Sequence, residues 1–220
     1  MTYRIPSVFR PVAALLGAAA LVGALSGCAP LMVGAVGTSV LVATDRRTSG
    51  AQLEDQGIEL RAGSRLRDQF GDRARVVVTS FNRRVLLTGE VPSEADRAAA
   101  VRIVAGVENV RETVDELAVM SSPSFTARSS DALVTARVKA AMVDARDLQA
   151  TAVKVLTERG TTYLMGRVTQ READRATEIT RSIPGVQRVV RVFEIITEEE
   201  LQRMQPAPAP APASGSAPAK

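Results

Sequence analysis

The chemistry open to this chain of 220 residues is limited first by the side chains it lacks. Histidine is absent, so no Ser-His-Asp or Cys-His nucleophile pair and no histidine metal ligand can form within one chain. The single cysteine, Cys28, rules out an intrachain disulfide and a CxxC redox pair. Carboxylate, lysine and arginine chemistry remain. Asp55 and Glu59, and likewise Glu108 and Glu112, stand four residues apart, yet no base or polar pocket is implied beside them. Charges at that spacing are expected to form a solvated face. Gly106 and Gly185 are isolated and make no phosphate loop. These residues predict no enzyme, no cofactor and no metal site, which leaves the chemistry of Cys28 and of surfaces.

The surroundings of Cys28 give it a role. Residues 1–11 carry Arg4 and Arg10 and no acid, and Val12–Leu25 is an apolar run shorter than the ~20 residues that span a bilayer. A basic start, a short apolar core and the small residues of Leu25-Ser26-Gly27-Cys28 describe a cleaved secretory signal over 1–27. The Leu-Ser-Gly-Cys ending resembles the bacterial lipobox. That resemblance implies a diacylglyceryl group (palmitate-type chains) on the Cys28 sulfur, cleavage before it and N-acylation. Several acyl chains anchor far more firmly than one. Ala29 and Pro30 follow, with no Asp, which by the same resemblance implies the periplasmic face of the outer membrane. Without residues 1–27 the chain keeps 26 basic and 24 acidic residues, a net of +2.

Those surfaces must be positioned by a fold, and the fold is written twice. Val85-Leu86-Leu87-Thr88-Gly89-Glu90-Val91 aligns with Thr162-Tyr163-Leu164-Met165-Gly166-Arg167-Val168, 77 residues on. The same displacement sets Val76 and Val78 on Val153 and Val155. Glu94-Ala95-Asp96-Arg97-Ala98 then matches Glu172-Ala173-Asp174-Arg175-Ala176, and Gly106-Val107 matches Gly185-Val186. Features repeated in one order mark a duplication.

Each copy predicts the order αββαβ. Ile58, Ala62, Leu66 and Phe70, or Val134, Val138 and Met142, recur at helical spacing. Alternation at Val76 and Val78, or Val153 and Val155, reads as a strand. A turn at Asn82-Arg83-Arg84 or Glu158-Arg159-Gly160 leads to a second strand with Val85, Leu87, Gly89 and Val91 on one face. In the second helix Ala98, Val101 and Ala105 are expected inside in copy one, and Ala173, Ala176, Ile179 and Ile183 in copy two. Thr169 and Glu172 are spaced as a capping box, and Gly106 and Gly185 stand where a glycine cap is expected. Gly89 and Gly166 are expected where a helix approaches the sheet closely. A third strand closes each unit, giving an α+β fold with two helices on one face of a three-stranded sheet.

Gly-x-Val-x-Leu-x-Gly-x-Val with a later Ala-rich helix and Gly-Val-x-x-Val resembles the BON domain, a bacterial αββαβ module of periplasmic proteins. Two such units behind a lipobox resemble the dual BON-domain (DolP-like) lipoproteins. Val33-Gly34-Ala35 through Thr44-Asp45-Arg46-Arg47 is similar to the Gly/Ala tether and Thr-Asp-x-Arg element of that family, although Arg83 stands where a turn glycine is common. The expected organisation is a signal peptide at 1–27, a lipidated Gly/Ala-rich tether at 28–52, one BON domain at 53–119, a linker at 120–130, a second BON domain at 131–197, and a Pro/Ala-rich, disordered tail at 198–220.

The copies differ in charge. Residues 53–119 hold 10 basic and 12 acidic residues (net −2), and residues 131–197 hold 11 and 8 (net +3). A basic domain beside a bilayer is drawn to anionic headgroups. Leu133, Ala136, Arg137 and Ala140 form a stripe about one residue round from the Val134–Val138–Met142 stripe. An outward leucine beside an arginine suits an interfacial contact, and equally a packing surface for the other copy. The family resemblance implies that the second BON domain binds anionic phospholipid (phosphatidylglycerol or cardiolipin) at Leu133, Ala136 and Arg137, where the family usually has tryptophan in place of Leu133. The expected function is a lipid-anchored protein of envelope integrity, with enrichment at the division site as a further expectation. The alternative is an adaptor for envelope protein partners in an outer-membrane or cell-division assembly. Nucleic acid is not expected, because export removes it and aromatics make up 3% of the chain.

Overall fold

The computed structural model describes residues 45–120 and 125–204. The expected signal peptide, Cys28, the tether as far as Thr44 and the Pro/Ala run after Met204 lie outside the described residues. Copy one comprises α1 (Ser49–Phe70), β1 (Arg75–Phe81), β2 (Arg84–Val91), α2 (Glu94–Ala105) and β3 (Glu112–Val119). Copy two comprises α3 (Phe125–Asp144), β4 (Val153–Glu158), β5 (Thr161–Val168), α4 (Gln170–Arg181) and β6 (Arg188–Ile195), followed by α5 (Glu198–Met204). The order αββαβ is found in both. In each sheet the second strand is central, pairing antiparallel with the first and parallel with the third. The parallel pair needs a crossover, which α2 and α4 supply.

Local signals set these boundaries. Thr48 caps α1 by accepting from the Ala51 N–H, so the helix begins inside the segment expected as tether. Helix α3 likewise starts within the expected linker, and α5 forms within the expected tail, held down by the buried Leu201. Thr169 and Glu172 form the expected capping box of α4. Gly106 caps α2 as expected, with φ −86°, whereas α4 ends on Ser182 and not on Gly185.

The helices of each copy cover one face of its sheet. Ile58, Ala62, Leu66 and Phe70 pack on Val85, Leu87 and Val91, whereas Val134, Val138 and Met142 pack on Leu164 and Val168. Ala173, Ala176 and Ile179 join the second core as expected. In α2 the buried residues are Ala100 and Val104, while Ala98 and Ala105 are exposed. The expected Ala98–Val101–Ala105 stripe is therefore turned about one residue from the true inner face.

The second face of each sheet is buried as well. Phe81 and Leu86 of copy one meet Tyr163, Met165 and Val192 of copy two in a third core, flanked by Val114, Leu156 and Val190. The sheets pack face to face between two outer helix layers. Tyr163 is fully buried at that junction. The runs Val85-Leu86-Leu87 and Tyr163-Leu164-Met165, apolar on both faces, are the sequence signature of such a doubly covered sheet.

The strand glycines have a different reason from the one expected. A Cβ on Gly89 would lie 1.9 Å from the Arg75 carbonyl oxygen, and one on Gly166 would lie 2.3 Å from the Ala152 carbonyl oxygen. The close neighbour is the backbone entering the adjacent strand, not a helix.

Candidate membrane-facing site

Helix α3 presents two faces. Val134, Val138 and Met142 are buried, whereas Leu133, Ala136, Arg137 and Ala140 are all exposed. Leu133 is 60% exposed and Val143, which continues the same outward stripe, is 72% exposed. The structure thus brings the four expected residues together on one accessible face. It removes the interdomain alternative for Leu133, because the copies meet through their sheets. Among the described residues neither Arg137 nor Lys139 has a hydrogen-bond or ion-pair partner. The arrangement offers apolar area and uncommitted positive charge.

On α1 two of the basic residues are committed, while the Arg67 side chain has no partner among the described residues. Arg61 pairs with Glu54 at 2.7 Å, Glu54 also accepts from Asn109, and Arg65 donates to the Gly106 carbonyl. Leu53 and Leu60 are exposed on this helix.

Asp55 overturns the expectation of a solvated acidic face. It is 2% exposed and accepts from the Ser80 hydroxyl and from the Asn82 and Arg83 backbone N–H groups. Those two residues form the β1–β2 turn with φ +51° and +67°, the left-handed pair of a type I′ hairpin. The carboxylate holds a turn in which Arg83 replaces the usual glycine. Asp131 serves the second hairpin in the same way, accepting from the Arg159 and Gly160 N–H groups. Each aspartate stands three residues before the first residue of its helix stripe, a repeat visible in the sequence. Glu59 is also engaged, with the Ser80 N–H and, across the domains, Lys154.

The residues just before α1 join both domains. Arg46 makes two 2.7 Å contacts to the Glu172 carboxylate and also donates to the Arg167 carbonyl and Gln149 Oε1 in copy two. Arg47 pairs with Asp45 and Asp55 and lies 4.2 Å over the Phe81 ring in copy one. Burial pushes the Glu172 carboxyl up, but the Arg46 guanidinium and the Thr169 N–H outweigh it and hold it below the usual carboxylate range. Burial likewise raises Asp55, and its hydrogen bonds from Ser80, Arg83, Arg47 and Asn82 bring it below its usual value. This clasp was legible only as a family-like Thr-Asp-x-Arg string, since its partners lie more than a hundred residues away in copy two.

Further ion pairs border the sheet junction. Glu90, 1% exposed, lies between Arg75 and Arg159, and Arg75 also pairs with Glu158. Arg188 pairs with Glu116, and Asn82 donates to Glu194. Several basic residues of copy two are therefore consumed by copy one, so its net charge overstates the cations free to meet a membrane.

Residues 54–121 and 130–197 match the BON domain family. The chain is 38% identical over 193 residues to the outer membrane lipoprotein DolP of Haemophilus influenzae, covering 86% of this chain and 98% of the relative. It is 31% identical to a 21 kDa hemolysin of Actinobacillus pleuropneumoniae, covering 69% of this chain and 79% of that one. It is 28% identical to the osmotically-inducible protein Y of Escherichia coli, covering 64% and 72%. With two matched units, the shared αββαβ fold and near-complete coverage of an outer-membrane relative, the chain belongs to the BON-domain family as a dual BON-domain, DolP-like outer-membrane lipoprotein.

Proposed function

We propose that the protein is acylated at Cys28 after removal of residues 1–27, and binds anionic phospholipid, phosphatidylglycerol or cardiolipin, through α3 of its second BON domain in support of envelope integrity. The observation that carries this reading is the outward stripe of α3, where exposed Leu133 and Val143 flank Ala136 and Ala140 beside Arg137, which has no partner among the described residues. Full burial of a leucine contributes about 1.5–3 kcal/mol, and the 60% of Leu133 that is exposed can contribute part of that. A basic residue near an anionic surface adds about 1 kcal/mol. Such a site is weak alone. Acyl chains on the same molecule convert it into an intramolecular contact, so avidity supplies the occupancy.

The test uses residues 29–220, which keep every described element and carry no acyl group, with phosphatidylglycerol vesicles. Arg137→Glu is expected to weaken binding most at low salt, because headgroup attraction is screened over ~8–10 Å at physiological ionic strength. Leu133→Asp is expected to weaken it at every salt concentration. Parent-like binding by both folded variants removes the lipid reading. Cys28→Ala in the full chain is expected to abolish palmitate labelling and outer-membrane fractionation. The second reading, a protein-interaction adaptor, is favoured by the exposed Leu53 and Leu60 on α1. It is the reading left standing if phosphatidylglycerol vesicles are not bound.

A further inference from the structure

The duplicated domains provide an internal comparison at one place, the gap between the end of the first helix and the edge strand. In copy two, α3 and the segment entering β4 enclose a groove of about 250 Å³ whose walls include Met142, Val143, Val153 and Val155, with Lys139 among its lining residues. In copy one the corresponding groove, lined by Leu66, Arg67 and Phe70, is about 60 Å³. Superposing the buried stripes sets Val143 on Arg67 and Lys139 on Gly63. Helix α1 continues to Phe70, which is 3% exposed, whereas α3 stops at Asp144, short of the matching position.

The open groove continues the exposed Leu133–Ala136–Ala140–Val143 stripe, and Lys139 has no partner among the described residues. An apolar cavity of ~150 Å³ is enough for a benzene-sized molecule, while drug-sized ligands occupy ~300–1,000 Å³. At about 250 Å³ the groove suits part of one alkyl chain and is too small for a whole diacyl lipid. The free ammonium of Lys139 supplies the complement to a negative head.

We propose that this groove receives part of one acyl chain of an anionic lipid, with the Lys139 ammonium holding the charged head. The proposal rests on α3 being the lipid-facing helix and names the form in which it takes lipid. A flat helix face binds only an assembled surface, whereas a groove also binds a single molecule.

The experiment measures binding of lauroyl lysophosphatidylglycerol, kept below its micelle concentration, to residues 29–220 by calorimetry, with lauroyl lysophosphatidylcholine as the zwitterionic control. Saturable one-to-one binding is expected, about fivefold tighter for the anionic lipid, with Lys139→Gln removing that preference. Thr151→Trp fills the groove from an exposed wall position, and Val143→Arg installs the residue of the first copy. Each is expected to cut lysolipid binding tenfold or more. Thr151→Trp is also expected to leave the melting temperature and Leu133-dependent vesicle binding in place. Vesicle binding without lysolipid binding overturns the groove and leaves the interfacial reading intact. Lysolipid binding without vesicle binding supports the groove and overturns the interfacial reading. Lysolipid binding unchanged in both groove variants overturns the proposal.

Discussion

Replacing Arg46 by alanine tests whether the segment preceding α1 is structural. Arg46 and Glu172 side chains are 5% and 4% exposed, and the guanidinium reaches both carboxylate oxygens at 2.7 Å. Removing one member of a buried pair costs ~3–5 kcal/mol, because the remaining charge stays desolvated. Here the Thr169 N–H still bonds Glu172, so a loss near the lower end, about 3 kcal/mol, is expected. For a chain of this size that lowers the melting temperature by roughly 6–12 °C. The effect should depend on pH. The folded-state pKa of Glu172 is depressed below its ordinary 4.5, so its stabilisation is complete above that value and is lost as pH falls through the lowered one. The gap between parent and Arg46→Ala should therefore be widest at neutral pH and narrow below about 4.5. Arg46→Lys should fall between them, since an ammonium cannot make the two-pronged contact. Circular-dichroism melts at pH 7 and pH 3.5 decide the matter. A loss below ~0.5 kcal/mol, as for an exposed ion pair, or a gap independent of pH, would refute the clasp.

Three other outcomes follow from the packing. Gly166→Ala should destabilise the protein by about 1–3 kcal/mol in a urea titration, because the new methyl meets the fixed Ala152 carbonyl and no flexible side chain can yield. Asp55→Asn should cost more than Asp131→Asn in the same assay, by about 1–2 kcal/mol, since Asp55 also pairs with Arg47 and accepts from Ser80 while Asp131 holds only its turn. Residues 125–204 alone should self-associate in sedimentation velocity, because separation uncovers Leu156, Tyr163, Met165 and Val192. A monomeric, cooperatively folded fragment would mean the sheet junction contributes little.

What could be read from the sequence was local or periodic. The helix stripes of α1 and α3, the alternation in β2 and the Thr169 capping box depend on neighbours within a few residues, and all are present in the structure. The outward position of Leu133, Ala136, Arg137 and Ala140 followed from the same periodicity. Errors arose where distant chain decides the answer. Asp55 looked like a surface charge because its partners, the Asn82 and Arg83 N–H groups, are brought to it only by the β1–β2 hairpin. Gly166 reads in the sequence as a helix-packing glycine, because register, not composition, sets Ala152 against it. The inward face of α2 is not legible, because a helix rich in alanine shows little contrast between its faces.

Duplication leaves the two copies with different outer surfaces. Net charge alone is a poor guide, since Lys154, Arg159 and Arg188 of copy two are occupied by Glu59, Glu90 and Glu116 of copy one. The two leading helices also differ, although the Arg67 side chain of α1 has no partner among the described residues. On α1, Arg61 and Arg65 reach back to Glu54 and to the carbonyls at Gly106 and Glu108, so the helix's own domain satisfies them. On α3, Arg137 and Lys139 have no such partner among the described residues, and small residues at positions 136 and 140 keep the surface between Leu133 and Val143 low. The sheet junction then serves the site indirectly. By joining the domains through the faces opposite their helices, it leaves α3 on the outside of the molecule, where its apolar stripe and free cations are both accessible.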